Sequence, residues 1–134
     1  MDKTVFKDSI GPIEEFSWGK FIVGGKTHTK EGDQLIGAGK DIRLIRNHIS
    51  AWTERKGHKV KPDMITGIFD QDIQVLVFGI GVQGSLKVPQ KTISAIKKQG
   101  IEEVLLLRTP QACQIYNKLY YEGKRVALLA HGTC

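Results

Sequence analysis

The sequence predicts a single layered α/β domain, and three observations predict it. From Lys61 onward helical and strand patterns alternate, before that point short strands are joined by glycine turns, and no linker, repeat or low-complexity tract divides the chain. At 134 residues the chain can bury a real core without metal or disulfide staples. Hydrophobic residues make up 40% and charged residues 25%, the proportions of a folded domain rather than a disordered one.

The elements follow in order. Ile13–Ser17 and Lys20–Val23 are strand patterns closed by Gly24-Gly25, and Gln34–Ile36 and Asp41–Ile45 are strand patterns separated by Gly37-Ala38-Gly39. Such strands form antiparallel hairpins. Pro62 suits a first helical turn, with Met64, Ile65 and Ile68 on one face. Gln74–Phe78 is a near-continuous apolar run, as expected of a strand covered on both faces. Pro89 starts a second helix, carrying Ile93 and Ile96 inward and ending at Gly100. Val104–Leu107 reads as a second buried strand. Thr109-Pro110 is a hydroxyl N-cap followed by proline, opening a helix that turns Ala112, Ile115, Tyr116 and Leu119 inward and stops at Gly123. Arg125–Ala130 is the last strand.

No apolar run approaches the roughly 20 residues of a membrane helix. The start, Met1 to Asp8, lacks the apolar stretch of a secretory signal, so the cytoplasm is the expected compartment. The two cysteines, Cys113 and Cys134, form no C-x-x-C motif and read as a buried and a free thiol. The net charge is +6, and seven basic residues lie between Lys40 and Lys61 against Asp41 and Glu54. No nucleic-acid recognition fold accompanies them, so weak, non-specific nucleic-acid binding is expected, and Trp52 anchors a loop to the core.

Gly79-Ile80-Gly81-Val82-Gln83-Gly84 fits G-x-G-x-x-G behind a strand. A dinucleotide fold is disfavoured: the helix begins late, at Pro89, Arg108 stands where an acidic residue belongs, and the chain is too short for two mononucleotide halves. What survives is a glycine loop at the C-terminal end of a sheet strand, where α/β folds bind ligands. Its amides, with Lys87 and the helix starts at Pro89 and Pro110, suit a small anion. The expected ligand site is therefore Gly79, Gly81, Gly84, Lys87 and Thr109, with Trp52 and His58 nearby. His131 and Cys134 lie three apart; along a continuing strand they point to opposite faces, and only a turn at Gly132 brings them together. No Asp or Asn partner for His131 is evident, so a free thiol at a strand end is expected. No catalytic set, metal-ligand spacing or cofactor motif is recognisable.

Four segments in order resemble a known family: Phe16-Ser17-Trp18-Gly19, Trp52 with Gly57-His58, Gly79-Ile80-Gly81 with Leu86-Lys87-Val88-Pro89, and Thr109-Pro110-Gln111-Ala112 leading through Tyr116-Asn117 to His131-Gly132-Thr133-Cys134. Together they resemble the Mth-type domain family of unknown function, over about residues 13–134, leaving 1–12 as an N-terminal extension. Its animal members include an adipogenesis-associated domain-containing protein and a mitochondrial complex I assembly factor. The resemblance implies a three-layer α/β domain with a central mixed sheet and no established activity. It places an arginine just after the tryptophan, where this chain has Trp52-Thr53-Glu54-Arg55. Two functions are then expected: a non-catalytic interaction or assembly module with a protein partner, or a small-ligand protein or enzyme with its site at the Gly79–Lys87 loop.

Overall fold

Alternation along the last strand explains the layering. In β10 (Val126–His131), Val126, Leu128 and Ala130 belong to one buried cluster and Ala127 and Leu129 to another. Successive strand side chains point to opposite faces, so a strand apolar on both must lie mid-sheet. The computed structural model describes residues 4–134 and puts β10 there. Its neighbours are β6 (Asp41–Ile45), antiparallel, and β8 (Val75–Gly79), parallel. Outside them run β7 (His48–Ala51), antiparallel to β6, and β9 (Glu103–Leu107), parallel to β8, giving the mixed order β7-β6-β10-β8-β9.

The earlier hairpins form a second sheet. It is an antiparallel meander of β1 (Phe6–Lys7), β2 (Ile13–Ser17), β3 (Lys20–Val23), β4 (Lys26–Glu31) and β5 (Gln34–Ile36). Ile13, Phe16, Phe21 and Val23 point from this meander into one core. Opposite them stand Ala112, Cys113 and Tyr116 of α2 (Thr109–Tyr121) and the Val75, Val77 and Leu128 face of the mixed sheet. On the other face, Leu76, Phe78, Ala127 and Leu129 pack with Ile96 of α1 (Gln90–Lys98) and with Trp52, Val60, Ile65 and Ile68 from the long connection after β7. The result is three layers about a central mixed sheet. Asn117 of α2 ties the layers together: its amide accepts from Ile13 N–H at 3.0 Å and donates to Ile13 O at 2.8 Å.

Both predicted helix stops hold, with Gly100 and Gly123 at φ +100° and +78° just past the helix ends. Three expectations need correction. Pro62 opens only a 3-10 turn, Pro62–Met64, and no helix carries Ile65 and Ile68. The chain leaves helical geometry at Ile65, φ −90° and ψ 101°, and bends around the Arg43 side chain at Gly67, φ +70°, where a Cβ would lie 2.9 Å from Arg43 Nε. That guanidinium bonds Thr66 O and Oγ1, Ser50 and Glu54. Val104–Leu107 lies in an edge strand rather than a strand buried on both sides, and Leu106 is 39% exposed. Thr109 is the first residue of α2, not its cap; Arg108 holds that position and makes no side-chain cap bond.

Candidate functional site

Parallel pairing of β8 with β9 sets Gly79 opposite Leu107, so the loops after both strands open at one edge of the sheet. Antiparallel pairing of β10 with β6 puts His131 opposite Asp41 at that same end. The site grows from these two registers.

His131 is buried, and its Nδ1–H donates to Asp41 Oδ1 at 2.8 Å. The carboxylate fixes the tautomer and leaves Nε2 as an acceptor, met by Thr133 Oγ1 at 3.1 Å. Asp41 Oδ2 is held by Arg55 through Nε and Nη2, both at 2.9 Å. Burial disfavours the Asp41 carboxylate, but the bonds from His131 and Arg55 outweigh it and its pKa is lowered. For His131 burial disfavours the imidazolium, and the bonds to Asp41 and Cys134 prevail, so its pKa is raised.

Gly132 then turns the chain. A Cβ there would stand 2.1 Å from Lys40 O, a contact only glycine permits. The turn, fastened by Gly132 N–H to Asp41 Oδ1 and by Gly19 N–H to Gly132 O, swings Cys134 back over His131. Cys134 Sγ lies 3.5 Å from His131 Nε2, 3.5 Å from His58 Nε2 and 3.3 Å from Ser85 Oγ. The bonds from Ser85, His131 and His58 favour the thiolate and lower its pKa to about 6. Cys113, fully buried in the core, has its pKa pushed up by desolvation. Cys113 and Cys134 are free thiols as expected, but Cys134 is held in a cluster with His131, His58 and Ser85 rather than standing alone at a strand end. Asp41 is the carboxylate partner that His131 lacked in the sequence reading.

The other expected site residues divide. Gly81, at φ +101°, lies where a Cβ would be 2.3 Å from the Cys134 carbonyl carbon, so the glycine loop is shaped to receive that residue. Thr109 Oγ1 accepts from Gly81 N–H at 2.9 Å and donates to His131 O at 2.7 Å, coupling the loop to the strand end. His58 touches the thiol directly. Gly79 ends β8 with Thr109 against it, and Gly84 sits beside Arg108. Lys87 is exposed and takes part through its backbone, accepting from Val60 N–H and donating to His58 O. Trp52 stands apart: 1% exposed, it donates to Met64 O and packs on Phe78, as a loop anchor. The loop amides expected to be open are taken. Val82 N–H goes to Thr133 O, Gln83 and Ser85 N–H to Cys134 O, and Leu86 N–H to Ile80 O. The chain itself fills the anion cradle. Open space lies on the other side of His58, in a cavity of about 600 Å³ lined by Lys56, Lys59 and Lys61 with Glu54 and Asp63.

Asp41, Ser85, His131 and Cys134 are the site residues that the sequence reading did not assemble. The signal available for them was His131-Gly132-Thr133-Cys134, with a glycine able to reverse the chain.

Residues 13–131 match the family described as a protein of unknown function (DUF498/DUF598). The fold is similar to a conserved hypothetical protein, PH1505, from Pyrococcus horikoshii at 23% identity and TM-score 0.73, over 91% of this chain and 98% of that one. It is similar to a protein called MT938 at 17% identity and TM-score 0.69, over 91% and 97% of the two chains. A protein described as an outer membrane protein from Bartonella henselae matches at 23% identity and TM-score 0.71, over 92% and 95%. Among the described residues of this chain, no helix is long and apolar enough to cross a membrane.

Proposed function

We propose a function for a chain that belongs to the DUF498/DUF598 family of proteins of unknown function: it is a small-molecule enzyme that uses Cys134 as a nucleophile in acyl transfer. The observation that carries this is the line Asp41, His131, Cys134, with 2.8 Å between carboxylate and imidazole and 3.5 Å between imidazole and sulfur. A thiol beside a base that a third group orients is the general arrangement of an activated nucleophile. With its pKa lowered to about 6, Cys134 reacts as the thiolate, its proton already held on His131 Nε2, and Sγ bonds the acyl carbon. The bond to the leaving oxygen then breaks, and the imidazolium returns the proton to that oxygen. The lysines around the adjacent cavity favour a substrate with a negatively charged tail. This shifts the weight from an interaction module to a ligand site beside the Gly79–Lys87 loop.

The test is p-nitrophenyl acetate with the metal-free, reduced chain. A burst of p-nitrophenolate should accompany acetylation of Cys134, located by mass spectrometry, with Cys113 unmodified. Cys134→Ser should abolish the burst. His131→Asn should slow acetylation by about 100-fold or more, the scale of a lost general base. Acetylation of Cys134 no faster than that of cysteine in the unfolded chain would sink the proposal.

A second reading, an assembly or regulatory module, has one specific support. Ile10 and Tyr121 are 73% and 58% exposed and joined by a bond from Tyr121 OH to Ile10 O. Two adjoining large apolar side chains in solvent suit a protein partner. Ile10→Asp should release a stoichiometric co-purifying protein while leaving Cys134 acetylation intact; retention of the partner would count against this surface.

A further inference from the structure

We infer that Cys134, His131 and His58 together form a binding site for a divalent metal ion of the zinc class, with the fourth position open to water or substrate. The inference deepens the proposed function, because it rests on the same cluster being the functional site. Among the described residues these three bring their ligand atoms within 4.8 Å of one another.

Two of the three donor-to-donor edges match those of a tetrahedral ion. Zinc binds sulfur at about 2.3 Å and imidazole nitrogen at about 2.0–2.1 Å, in tetrahedral array. Those lengths and the tetrahedral angle require a sulfur-to-nitrogen edge of about 3.5–3.6 Å. Both edges from Cys134 Sγ, to His131 Nε2 and to His58 Nε2, are 3.5 Å. The two imidazoles meet edge to face with centroids 6.2 Å apart, and the nitrogen-to-nitrogen edge spans up to 4.8 Å against the roughly 3.3 Å that a tetrahedral zinc sets, so His58 must turn inward to close the site. His58 is exposed and free to adjust its ring, while His131 is fixed.

The surroundings fit as well. A metal-bound histidine commonly donates its other N–H to a carboxylate, which sets the ring and raises its basicity. His131 donates Nδ1–H to Asp41, and Asp41 is held in turn by Arg55. Two imidazoles and one thiolate make a donor set of borderline softness, suited to zinc rather than to magnesium or calcium. Three protein ligands with one open place is the pattern of catalytic zinc. Of the three ligands, His58 also lines the cavity that holds Lys56, Lys59 and Lys61. Bound metal would supply Lewis acidity there. It would also draw charge from the sulfur that the nucleophile needs, so loading would slow its reaction with the acyl carbon.

The experiment titrates the metal-free, reduced full chain with Co²⁺ and then Zn²⁺ at pH 7, followed by absorption. The expected result is one Co²⁺ per chain, a thiolate-to-cobalt charge-transfer band, strong visible bands of a four-coordinate ion, and displacement by Zn²⁺. Cys134→Ser should remove the charge-transfer band. His58→Ala, at an exposed position outside the core, should weaken binding by more than the roughly 10–100-fold seen on losing an outer-shell partner. A thermal melt shows whether each variant is folded. Absence of the charge-transfer band, or a His58→Ala chain that binds as tightly as the parent, would overturn the site. The two readings separate cleanly. Acetylation of Cys134 without cobalt binding removes the metal and leaves the nucleophile. Cobalt binding without acetylation of the metal-free chain removes the nucleophile and leaves the metal. If both hold, Zn²⁺ should slow acetylation and a chelator should restore it.

Discussion

Gly132→Ala isolates what shapes the thiol site. A Cβ at this position would lie 2.1 Å from Lys40 O, 3.1 Å from Lys40 C and 3.1 Å from Phe21 Cε2. Carbon and oxygen in ordinary contact stand roughly 3.3 Å apart, so the turn or the Lys40 peptide must move by about 1 Å. Neither moves freely. Gly132 O accepts from Gly19 N–H at 2.6 Å, Gly132 N–H donates to Asp41, and Lys40 precedes the strand that pairs with β10. Overpacking at a site that cannot relax costs about 1–3 kcal/mol. With a urea slope of about 1–3 kcal/mol per molar, the midpoint should fall by about 1 M. The displaced turn also carries Cys134 away from His131, so acetylation of Cys134 should slow along with the loss of stability. The assays are urea unfolding and the p-nitrophenyl acetate burst on the same preparation. An unchanged midpoint with an unchanged burst would refute the claim that this contact sets the turn.

Three further outcomes are expected. Thr109→Val keeps the shape but strips two buried groups, Gly81 N–H and His131 O, of their partner, and should cost about 2–4 kcal/mol in urea unfolding; a loss below about 1 kcal/mol would mean that other groups satisfy them. Asn117→Ala releases both bonds to Ile13 and should destabilise by about 2–4 kcal/mol, with exchange of the Ile13 amide accelerated in hydrogen-exchange measurements. His28 is buried with Nδ1 accepting from Ala38 N–H, and burial, then Lys26, lowers its pKa below the ordinary 6.5. The unfolded chain therefore binds this proton more readily. The His28 contribution is complete above pH 6.5 and is lost as pH falls from there through the folded value. Other groups titrate too, so the measurement is the difference in stability from His28→Asn between pH 7 and pH 5; a difference independent of pH would refute it.

Much of the fold was legible because its strongest elements are locally consistent. The runs at Val75–Phe78 and Val126–Ala130 are apolar on both faces, and only mid-sheet strands need that. Proline at the start and glycine past the end marked both α-helices. β4 was harder to read: Lys26-Thr27-His28-Thr29-Lys30-Glu31 is polar, and His28 alone is buried in it. The apolar residues Ile65 and Ile68 suggested a helix at Pro62, yet they reach the core from an irregular segment that Arg43 organises. The site was hidden for a similar reason. Asp41 and His131 are 90 residues apart and meet only through the register of β6 with β10. His58 and Ser85 approach from two loops whose course no local pattern records. The glycine loop was located as an edge feature of the sheet, but its amides turned out to serve Thr133 and Cys134.

Asp41 accepts from His131, Gly132 and Arg55 at once. Arg55 also donates to Gly57 O, in the loop that carries His58 and borders the lysine-lined cavity. One carboxylate is therefore the common anchor of both imidazoles that flank the sulfur. The same arginine charge opposes the rise in the His131 pKa, so the Arg55–Asp41 pair joins the loop at 55–58 electrostatically to the His131 ring. Arg55 is thus the residue that ties the loop carrying His58 to the carboxylate that holds His131.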